Sequence, residues 1–459
     1  MSKIRNFTWL LALVVTGAWA ASFGAATSPG VHVGVEKDDG AIETPDAPPP
    51  PSPLTPTTRP LQPGDLTTLD QGMQAVKPEQ VGPPILPGTS VESAAPPDEE
   101  GNLQEKIQLW RVRPIFRLVS LYDDNIFISD TNRVSDIIFA VSAGLAFEIG
   151  DYRNLEDSYL IVQYVGTGLI YLDNPQEDAY NQLAGLEGKY VWNNLAVELS
   201  SRYEYLSTPD RDVGGLVRRS VFDNSLRFVY GYSDKTSADL EFSQNAIIYV
   251  DDLDSNNYAV KLGAEYLVTE KLSLGAEGVA GVLNVQESPL QYYQQLRVRA
   301  AYDATGKLTF RLSVGVEARE LDNLSQTRLD PVFSLGGDYS PFPSTTISFD
   351  AYRRVEGSAS SAGQDYNATG FVIAIEQRLF EKFSAKLALG YENDAYFSTD
   401  DQSGVDRLDN FVFARPELSA TFFTHYKASV FYEFRRNESN ESNFSFYDNR
   451  AGIALAVEF

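Results

Sequence analysis

The feature that most constrains this chain is a strict alternation of apolar and polar side chains, which recurs in segment after segment beyond residue 107. In residues 307–320, KLTFRLSVGVEARE, every second position from Leu308 to Ala318 is small or apolar, whereas the intervening positions include Arg311 and Glu317. Successive side chains of a β-strand point to opposite faces, so each segment predicts a strand with one apolar and one charged face. Segments of about ten residues are long enough to cross a bilayer as tilted strands.

The connections between these segments alternate in length. Short turns are predicted at residues 193–194, 233–235, 269–271, 304–306, 381–382 and 424–425, and longer polar links such as DDLDSNN (251–257) and EGSASSAGQD (356–365) lie between them. Short turns at one end and longer loops at the other are typical of an all-β, antiparallel up-and-down transmembrane β-barrel. We count about 18 strands, within a range of about 16 to 20. No connection is long enough to predict a plug or a deep constriction loop in the lumen.

The first 106 residues have a different composition. Lys3 and Arg5 precede a short apolar core, and Ala18-Trp19-Ala20 follows it, which predicts a secretory signal peptide over residues 1–20 rather than a membrane anchor. Of the 24 prolines in the chain, 16 lie between residues 28 and 105. Because proline can neither donate to a sheet nor continue a helix, residues 21–106 are predicted to be a disordered periplasmic linker. The barrel is assigned to residues 107–459.

Charge and residue usage exclude several functions. The chain has 63 acidic and 37 basic side chains, a formal net charge of -26, which disfavours nucleic acid as a partner. It has no cysteine and only two histidines, His32 and His425, neither at a place where a barrel enzyme needs an imidazole. We therefore predict no catalytic residues, no cofactor, no metal site and no enzymatic activity.

One acidic link has a partial resemblance to a calcium-binding loop. Asp252, Asp254 and Asn256 have the required spacing, but Asn257 stands where glycine is needed and Gly263 where a bidentate acid is needed. The link is therefore predicted to be a solvated acidic loop, with loose bridging of divalent cations to lipopolysaccharide as the alternative.

The inward-facing positions carry charges of both signs. By alternation we predict that the lumen-lining side chains include Glu198, Arg202, Glu204, Glu265, Arg297, Arg299, Arg311, Glu317, Arg319, Glu392, Glu433, Arg435 and Arg450. One interpretation is that opposite charges on neighbouring strands pair and keep the wall rigid. The other is a water-filled polar conduit without strong ion preference, since about 18 strands enclose more space than wall side chains fill. Inward aromatic residues, among them Tyr293, Tyr352 and Phe431, offer faces on which sugar rings can stack.

The chain ends on the alternating segment AGIALAVEF, whose last residue is Phe459. A final aromatic residue after alternating apolar positions resembles the signal by which bacterial barrel proteins are recognised by their assembly machinery. The segment therefore predicts a last membrane-facing strand, the barrel-assembly machinery as a partner, and residence among the lipid and lipopolysaccharide of a Gram-negative outer membrane.

Residues 121–148, LYDDNIFISDTNRVSDIIFAVSAGLAFE, carry a more specific pattern. It consists of Tyr122, Asp124, Asn125, Ile126, Phe127, Ser135, Asp136, Gly144 and Leu145. The segment resembles the first hairpin of the β-barrel porin family found with bacterial exopolysaccharide-synthesis clusters. The resemblance implies an outer-membrane barrel that exports a polysaccharide together with periplasmic export proteins. From the residues alone, acidic and amide side chains favour a tight turn, and the motif is predicted to fix the register of the first hairpin.

Three functions follow as hypotheses. The leading one is a non-enzymatic outer-membrane conduit with a polar lumen that exports an exopolysaccharide. The first alternative is a general diffusion porin for small solutes, which has the same architecture and needs no partner. The second alternative is a structural anchor that holds the proline-rich arm in the periplasm.

Overall fold

The computed structural model describes residues 110–459 apart from 153–154, 156, 322–326, 381, 400–406, 424 and 458–459. The predicted signal peptide, the predicted proline-rich linker and Phe459 lie outside the described residues. All described residues belong to one compact unit. In this part of the chain, no helix has the length and apolarity needed to cross a membrane.

Eighteen β-strands account for most of the described chain, as the alternation predicted. Their bounds are β1 Trp110–Asp123, β2 Asp136–Gly150, β3 Tyr159–Tyr171, β4 Ala179–Trp192, β5 Leu195–Asp210, β6 Gly215–Ser233, β7 Thr236–Tyr249, β8 Ser255–Thr269, β9 Leu272–Val285, β10 Gln291–Thr305, β11 Leu308–Leu321, β12 Thr327–Phe342, β13 Thr345–Gly357, β14 Gln364–Leu379, β15 Phe383–Ser398, β16 Leu408–Phe422, β17 Tyr426–Ser439 and β18 Phe446–Val457.

The strands form one closed antiparallel sheet. Each strand pairs with its neighbours in the chain, and β1 also pairs with β18, where Phe116 lies opposite Val457 and Asp123 lies opposite Arg450. The prediction of an 18-stranded up-and-down barrel is confirmed. Two connections differ from the prediction: residues 151–158 form a longer link at the short-turn end, and strands β5 and β6 extend so far that only residues 211–214 join them. A closed sheet leaves no edge strand with unpaired backbone groups.

The outer face of the barrel is apolar. The side chains of Leu262, Leu296 and Val298 are 63%, 70% and 62% exposed, which in a water-soluble protein would be costly. At the short-turn end, exposed aromatic residues flank the turns; they include Trp192, Tyr232, Phe380 and Phe423. An apolar band bordered by aromatic residues is the outer surface of a barrel that lies in a lipid bilayer.

The inner face combines apolar and charged residues in proportions that change around the barrel. On β1–β4 an apolar cluster of Ile115, Ala146, Val165 and Leu183 lies beside a few buried charges such as Glu148 and Lys189. From β5 onward buried charges are more numerous, and they include Asp239, Arg299, Glu317 and Glu392. Both kinds of inner face follow from one period-two pattern, in which only the identity of the inward residue changes.

Inward aromatic rings lie flat across the wall over cross-strand glycines. Phe431 is opposite Gly452 and Tyr352 is opposite Gly370. A methyl group added at Gly452 would come within 2.6 Å of the Phe431 ring. Because these rings are buried against backbone, they are not the open platforms for sugar rings that the sequence suggested; the same holds for Tyr293 over Gly281.

Candidate functional site

The lumen contains a cavity of about 670 Å³ with a polar and charged lining. Ten carboxylate and eight cationic side chains contribute to this lining, so the two signs nearly balance. Most of these groups sit on β5–β15, and the cavity extends to the end of the barrel at which the longer connections lie. We call that end the mouth.

The turn between β5 and β6 reaches across the mouth. In a ring of 18 strands, β5 and β14 are nine strands apart, which places them on opposite sides of the lumen. Nevertheless Arg211, in this turn, donates a hydrogen bond from Nη2 to Oε1 of Glu392 on β15. Its guanidinium carbon also lies 4.1 Å from the centroid of the Phe411 ring on β16. The β5–β6 hairpin therefore bridges two opposite walls.

Asp212, the next residue of the same turn, is the centre of a second set of cross-lumen contacts. Its carboxylate accepts hydrogen bonds from Ser358 Oγ at 2.9 Å, from the Ala359 backbone N–H at 2.5 Å and from Tyr396 Oη at 2.8 Å. The guanidinium of Arg407 lies 3.6 Å away. Burial outweighs these contacts and raises the pKa of Asp212 above its ordinary value.

The connection between β13 and β14 also folds inward. The Leu253 N–H donates to the Ala359 carbonyl at 3.2 Å, and the Gly363 N–H donates to Ser288 Oγ at 2.8 Å, so this connection contacts the connections on either side of β8–β9. Asp365, at the start of β14, is held 3.1 Å from Arg319 of β11.

The connection between β1 and β2 adds a third inward element. Ile128 packs in a buried cluster with inner-face residues of β15, β16 and β18, namely Ala388, Phe411, Phe413 and Phe446. The expectation of a lumen without a constricting connection is therefore wrong. The connections are short, but strands β5 and β6 extend the hairpin beyond its neighbours and let its tip reach the far wall.

A ladder of ion pairs runs along the wall below the mouth. Arg299 on β10 donates to Glu277 on β9 and to Asp239 on β7, each at 3.0 Å. Arg227 on β6 lies 3.7 Å from the same Asp239 and 3.6 Å from Glu198. The contacts of Arg227 and the Arg299–Glu277 pair join adjacent strands. The Arg299–Asp239 bond instead runs along the wall from β10 to β7, over Gly275 and Gly263 of the two strands between them. All of these pairs follow the wall, as in the wall-stiffening interpretation of the inward charges.

The thirteen predicted lumen residues all lie on the inner face. The wall ladder and its surroundings contain Glu198, Glu265, Arg297 and Arg299. Arg202 forms an ion pair with Glu204, and Glu317 forms one with Arg319. Glu392 forms an ion pair with Arg211. Arg435 and Arg450 both bind Asp448, Glu433 lies 3.7 Å from Arg415, and Arg311 pairs with Asp338 at the more exposed short-turn end. Contact with permeating water stays a prediction for all of them.

The first-hairpin motif has structural roles in the fold. Asn125 is fully buried and donates through Nδ2 to the carbonyls of Ser129 and Tyr447, at 2.8 and 3.0 Å. Asp136 accepts backbone N–H groups of the β3–β4 connection, including that of Asn174 at 2.9 Å. These bonds tie the first hairpin to both neighbouring hairpins.

The other motif residues fit around these two anchors. Asp124 pairs with Arg133 at 2.6 Å, and Ile126 is buried in a cluster against which Phe127 packs. Tyr122 is exposed on the outer face, and Ser135 is exposed just before β2. The register-fixing role of the motif stays a prediction.

Two acidic regions contain several carboxylates each and are therefore candidate metal sites. In the described chain, Asp123, Asp124 and Asp448 bring carboxylate oxygens within 4.8 Å of one another, but Arg450 lies 2.8 Å from Asp123 and 3.1 Å from Asp448. A guanidinium thus occupies the place that a cation would take.

The calcium-like link is organised differently from a calcium loop. Asp254 Oδ1 accepts a hydrogen bond from the Tyr249 backbone N–H at 2.9 Å, so this oxygen points toward the backbone of β7. At Asp252, burial, followed by the neighbouring carboxylates of Asp210 and Asp251, raises the pKa. The solvated acidic loop stays a prediction.

The most informative residues of the mouth were not among the predicted site residues. Arg211 and Asp212 lie in a segment that the sequence predicts to be a polar connection. Asp394 and Arg407 are likewise absent from the predicted lumen-lining residues. The one usable signal was the alternation that continues to Asp210, which implies a hairpin longer than its neighbours. The alternation does not predict which part of the barrel the tip of this hairpin contacts.

Neither a protein-family model nor a curated protein sequence matches this chain. Similar solved structures include OccK3 (OpdO) of Pseudomonas aeruginosa, with 10% identity, a TM-score of 0.42, and coverage of 76% of this chain and 96% of that chain. OccK2 (OpdF) of the same organism, in complex with glucuronate, has 11% identity, a TM-score of 0.42, and coverage of 76% and 98%. OccAB3 of Acinetobacter baumannii has 11% identity, a TM-score of 0.41, and coverage of 76% and 99%.

These similarities are too distant to assign a family or a substrate. The strand order, the apolar outer face and the charged inner face of this chain establish its architecture by themselves: a porin-like, 18-stranded transmembrane β-barrel whose mouth is crossed by its own hairpins.

Proposed function

We propose that this protein is an outer-membrane diffusion channel for small hydrophilic solutes. The observation that carries the proposal is the contact of Arg211 and Asp212 with the opposite wall, which narrows the mouth of an otherwise wide barrel. A barrel of this strand number encloses an aqueous channel unless inward elements restrict it. Hairpins that restrict it at one end act as a size filter.

The lining supports a polar but weakly ion-selective passage. Ten carboxylates face eight cations around the cavity, and many of these charges are paired along the wall. Paired charges of both signs attract water and polar solutes without creating a strong field of one sign.

The polysaccharide conduit is the second candidate, and the first-hairpin resemblance favours it. A polymer has to keep the mouth open along its whole length, so the Arg211 and Asp212 contacts would have to separate together and stay apart. A small solute needs only a transient opening. For this reason we rank the diffusion channel first and keep the polysaccharide, the periplasmic export proteins and the anchoring role as predictions.

The apolar outer band also supports placement in an outer membrane, with lipid and lipopolysaccharide around it and assembly by the barrel-assembly machinery. Absence of enzymatic activity stays a prediction. It follows from the proposed role, which requires only that solutes diffuse through the barrel.

Swelling of liposomes that contain the purified full-length protein tests the proposal. Proteoliposomes should swell in monosaccharides and amino acids and swell progressively less in longer oligosaccharides, with protein-free liposomes as the control. Absence of swelling in every small solute would contradict the diffusion channel. Loss of surface polysaccharide in a deletion strain, together with absent swelling, would instead support the conduit.

A further inference from the structure

We propose that the pocket now filled by Arg211 is a binding site for guanidinium-bearing solutes such as arginine, which compete with the protein's own side chain. We call it the guanidinium pocket and define it by Tyr352, Glu392, Asp394 and Phe411. The proposal rests on the proposed function, because it names the solute class that the mouth admits most readily.

The pocket has the chemistry that recognises a planar cation. Glu392 accepts a hydrogen bond from Arg211 Nη2, and the Phe411 ring lies 4.1 Å from the guanidinium carbon. The Tyr352 hydroxyl donates to the other oxygen of Glu392 and so fixes the orientation of this carboxylate. A carboxylate beside an aromatic face suits a guanidinium better than a compact ammonium, since the planar fork both stacks and donates.

Arg211 fills the pocket incompletely. Its Nη1 lies 3.5 Å from Asp394 Oδ2, which is too far for a hydrogen bond. Asp394 is only 4% exposed, and within the described chain its Oδ1 has no hydrogen-bond partner; the same is true of Arg211 Nη1. A buried carboxylate oxygen without a donor is costly and marks the place where a better-fitting donor would bind.

The incomplete fit has a mechanical cause. Arg211 belongs to a turn whose next residue, Asp212, is held by Ser358, Ala359 and Tyr396. The backbone is therefore held one residue away, and from this position the guanidinium bonds Glu392 while its Nη1 stays 3.5 Å from Asp394. A free guanidinium has no such tether and can donate to both carboxylates at once.

The pocket is also accessible from the channel. Glu392 and Asp394 border the cavity of about 670 Å³ but are buried beside Arg211, so a solute in the lumen reaches them once Arg211 moves aside. Displacement of Arg211 would remove one of the contacts that hold the β5–β6 hairpin across the mouth. Binding of the solute and opening of the mouth would then be coupled.

The first test is arginine binding to the purified full-length protein, measured by calorimetry in detergent. Arg211→Ala empties the pocket and should bind arginine about tenfold more tightly than the natural protein, because competition by the resident side chain is gone. Citrulline, which has nearly the same shape without the charge, should not bind. Arg436→Ala is the matched control, since Arg436 pairs with Glu438 at an exposed position on the outer face and should leave affinity unchanged.

Two further measurements make the outcome decisive. Adding Asp394→Asn to Arg211→Ala should abolish the gain in arginine affinity, and millimolar guanidinium chloride, but not urea, should lower the raised conductance of Arg211→Ala channels. Equal binding of arginine and citrulline, or an equal gain in Arg436→Ala, would overturn the proposal. If Arg211→Ala fails to fold, Asp394→Asn alone should reduce arginine swelling relative to citrulline swelling. Unchanged swelling in neutral sugars would show that the channel function itself stands.

Discussion

The wall ladder and the mouth contacts use the same chemistry over different distances. In the wall, Arg299 binds Asp239 and Glu277 on strands that follow one another closely in the barrel. At the mouth, Arg211 binds Glu392 from the opposite side of the lumen. An arginine between carboxylates therefore stiffens the barrel in one place and closes it in the other.

The comparison shows that the position of an ion pair in the barrel, and not its chemical type, decides whether the pair affects the stability of the barrel or the passage of solutes. Removal of one partner of a wall pair leaves the other partner's charge buried and unpaired in the sheet that all the hairpins form together. Removal of a mouth contact leaves the sheet intact and frees only a hairpin tip. Wall variants should thus change resistance to unfolding, whereas mouth variants should change conductance.

The largest effect is expected for Arg299→Ala. Arg299 is 1% exposed, and its loss leaves Asp239 and Glu277 buried without their main partner, which should cost about 3–5 kcal/mol of unfolding free energy. Urea unfolding, followed by the mobility difference between folded and unfolded barrels on gels, measures this cost. If Arg211→Ala were destabilised as much as Arg299→Ala, the distinction between wall and mouth would fail.

A smaller loss of stability is expected for Gly452→Ala. The added methyl group would lie 2.6 Å from the Phe431 ring, so the ring has to move, at a cost of about 1–3 kcal/mol. Gly168→Ala is the matched control, because nothing lies within 4 Å of a methyl group added there. Single-channel conductance should stay the same in both variants. A conductance change in Gly452→Ala would place Phe431 in the permeation path.

Asp212→Ala should alter permeation with little change in stability. The substitution removes the acceptor for Ser358, Ala359 and Tyr396 and so loosens the tip of the β5–β6 hairpin, which keeps its backbone bonds to Arg407. Planar-bilayer recordings should show a higher open fraction and larger conductance, and oligosaccharides should enter swelling assays more readily. An unchanged size limit would show that the hairpin does not set the filter.

The smallest effect is a pH dependence of the mouth. Burial raises the pKa of Asp212 in the closed mouth, against the opposing influence of Arg407 and with Asp210 nearby, whereas a solvated tip has the ordinary pKa. The closed form therefore binds the proton more tightly, so acidification should favour closure and a pH above the raised pKa should favour opening. Bilayer recordings across mildly acidic pH measure the open fraction. Asp212→Asn should remove this dependence, and a persistent one would point to another group.

Much of the barrel was predictable because alternation is a local property. Leu296 and Val298 face outward and Arg297 and Arg299 face inward for the simple reason that successive side chains of a strand alternate. The same rule gave the strand number, since turns interrupt the alternation. The assignment of charges to the inner face needed no knowledge of distant residues.

The mouth was not predictable because its contacts join residues far apart in the chain. Arg211 and Glu392 are separated by 181 positions, and no local pattern relates them. Likewise, the pairing of Phe431 with Gly452 depends on the register between β17 and β18, which alternation constrains only to every second residue.

The amino-acid sequence by itself determined a closed antiparallel barrel with an apolar outside and a charged inside, because the two faces of a strand are set residue by residue. Only the tertiary structure decided that the β5–β6 hairpin turns inward and that Arg211 meets Glu392. Closure of the sheet brings strands on opposite sides to a fixed distance, and a side chain finds its partner across that distance only after the ring has formed.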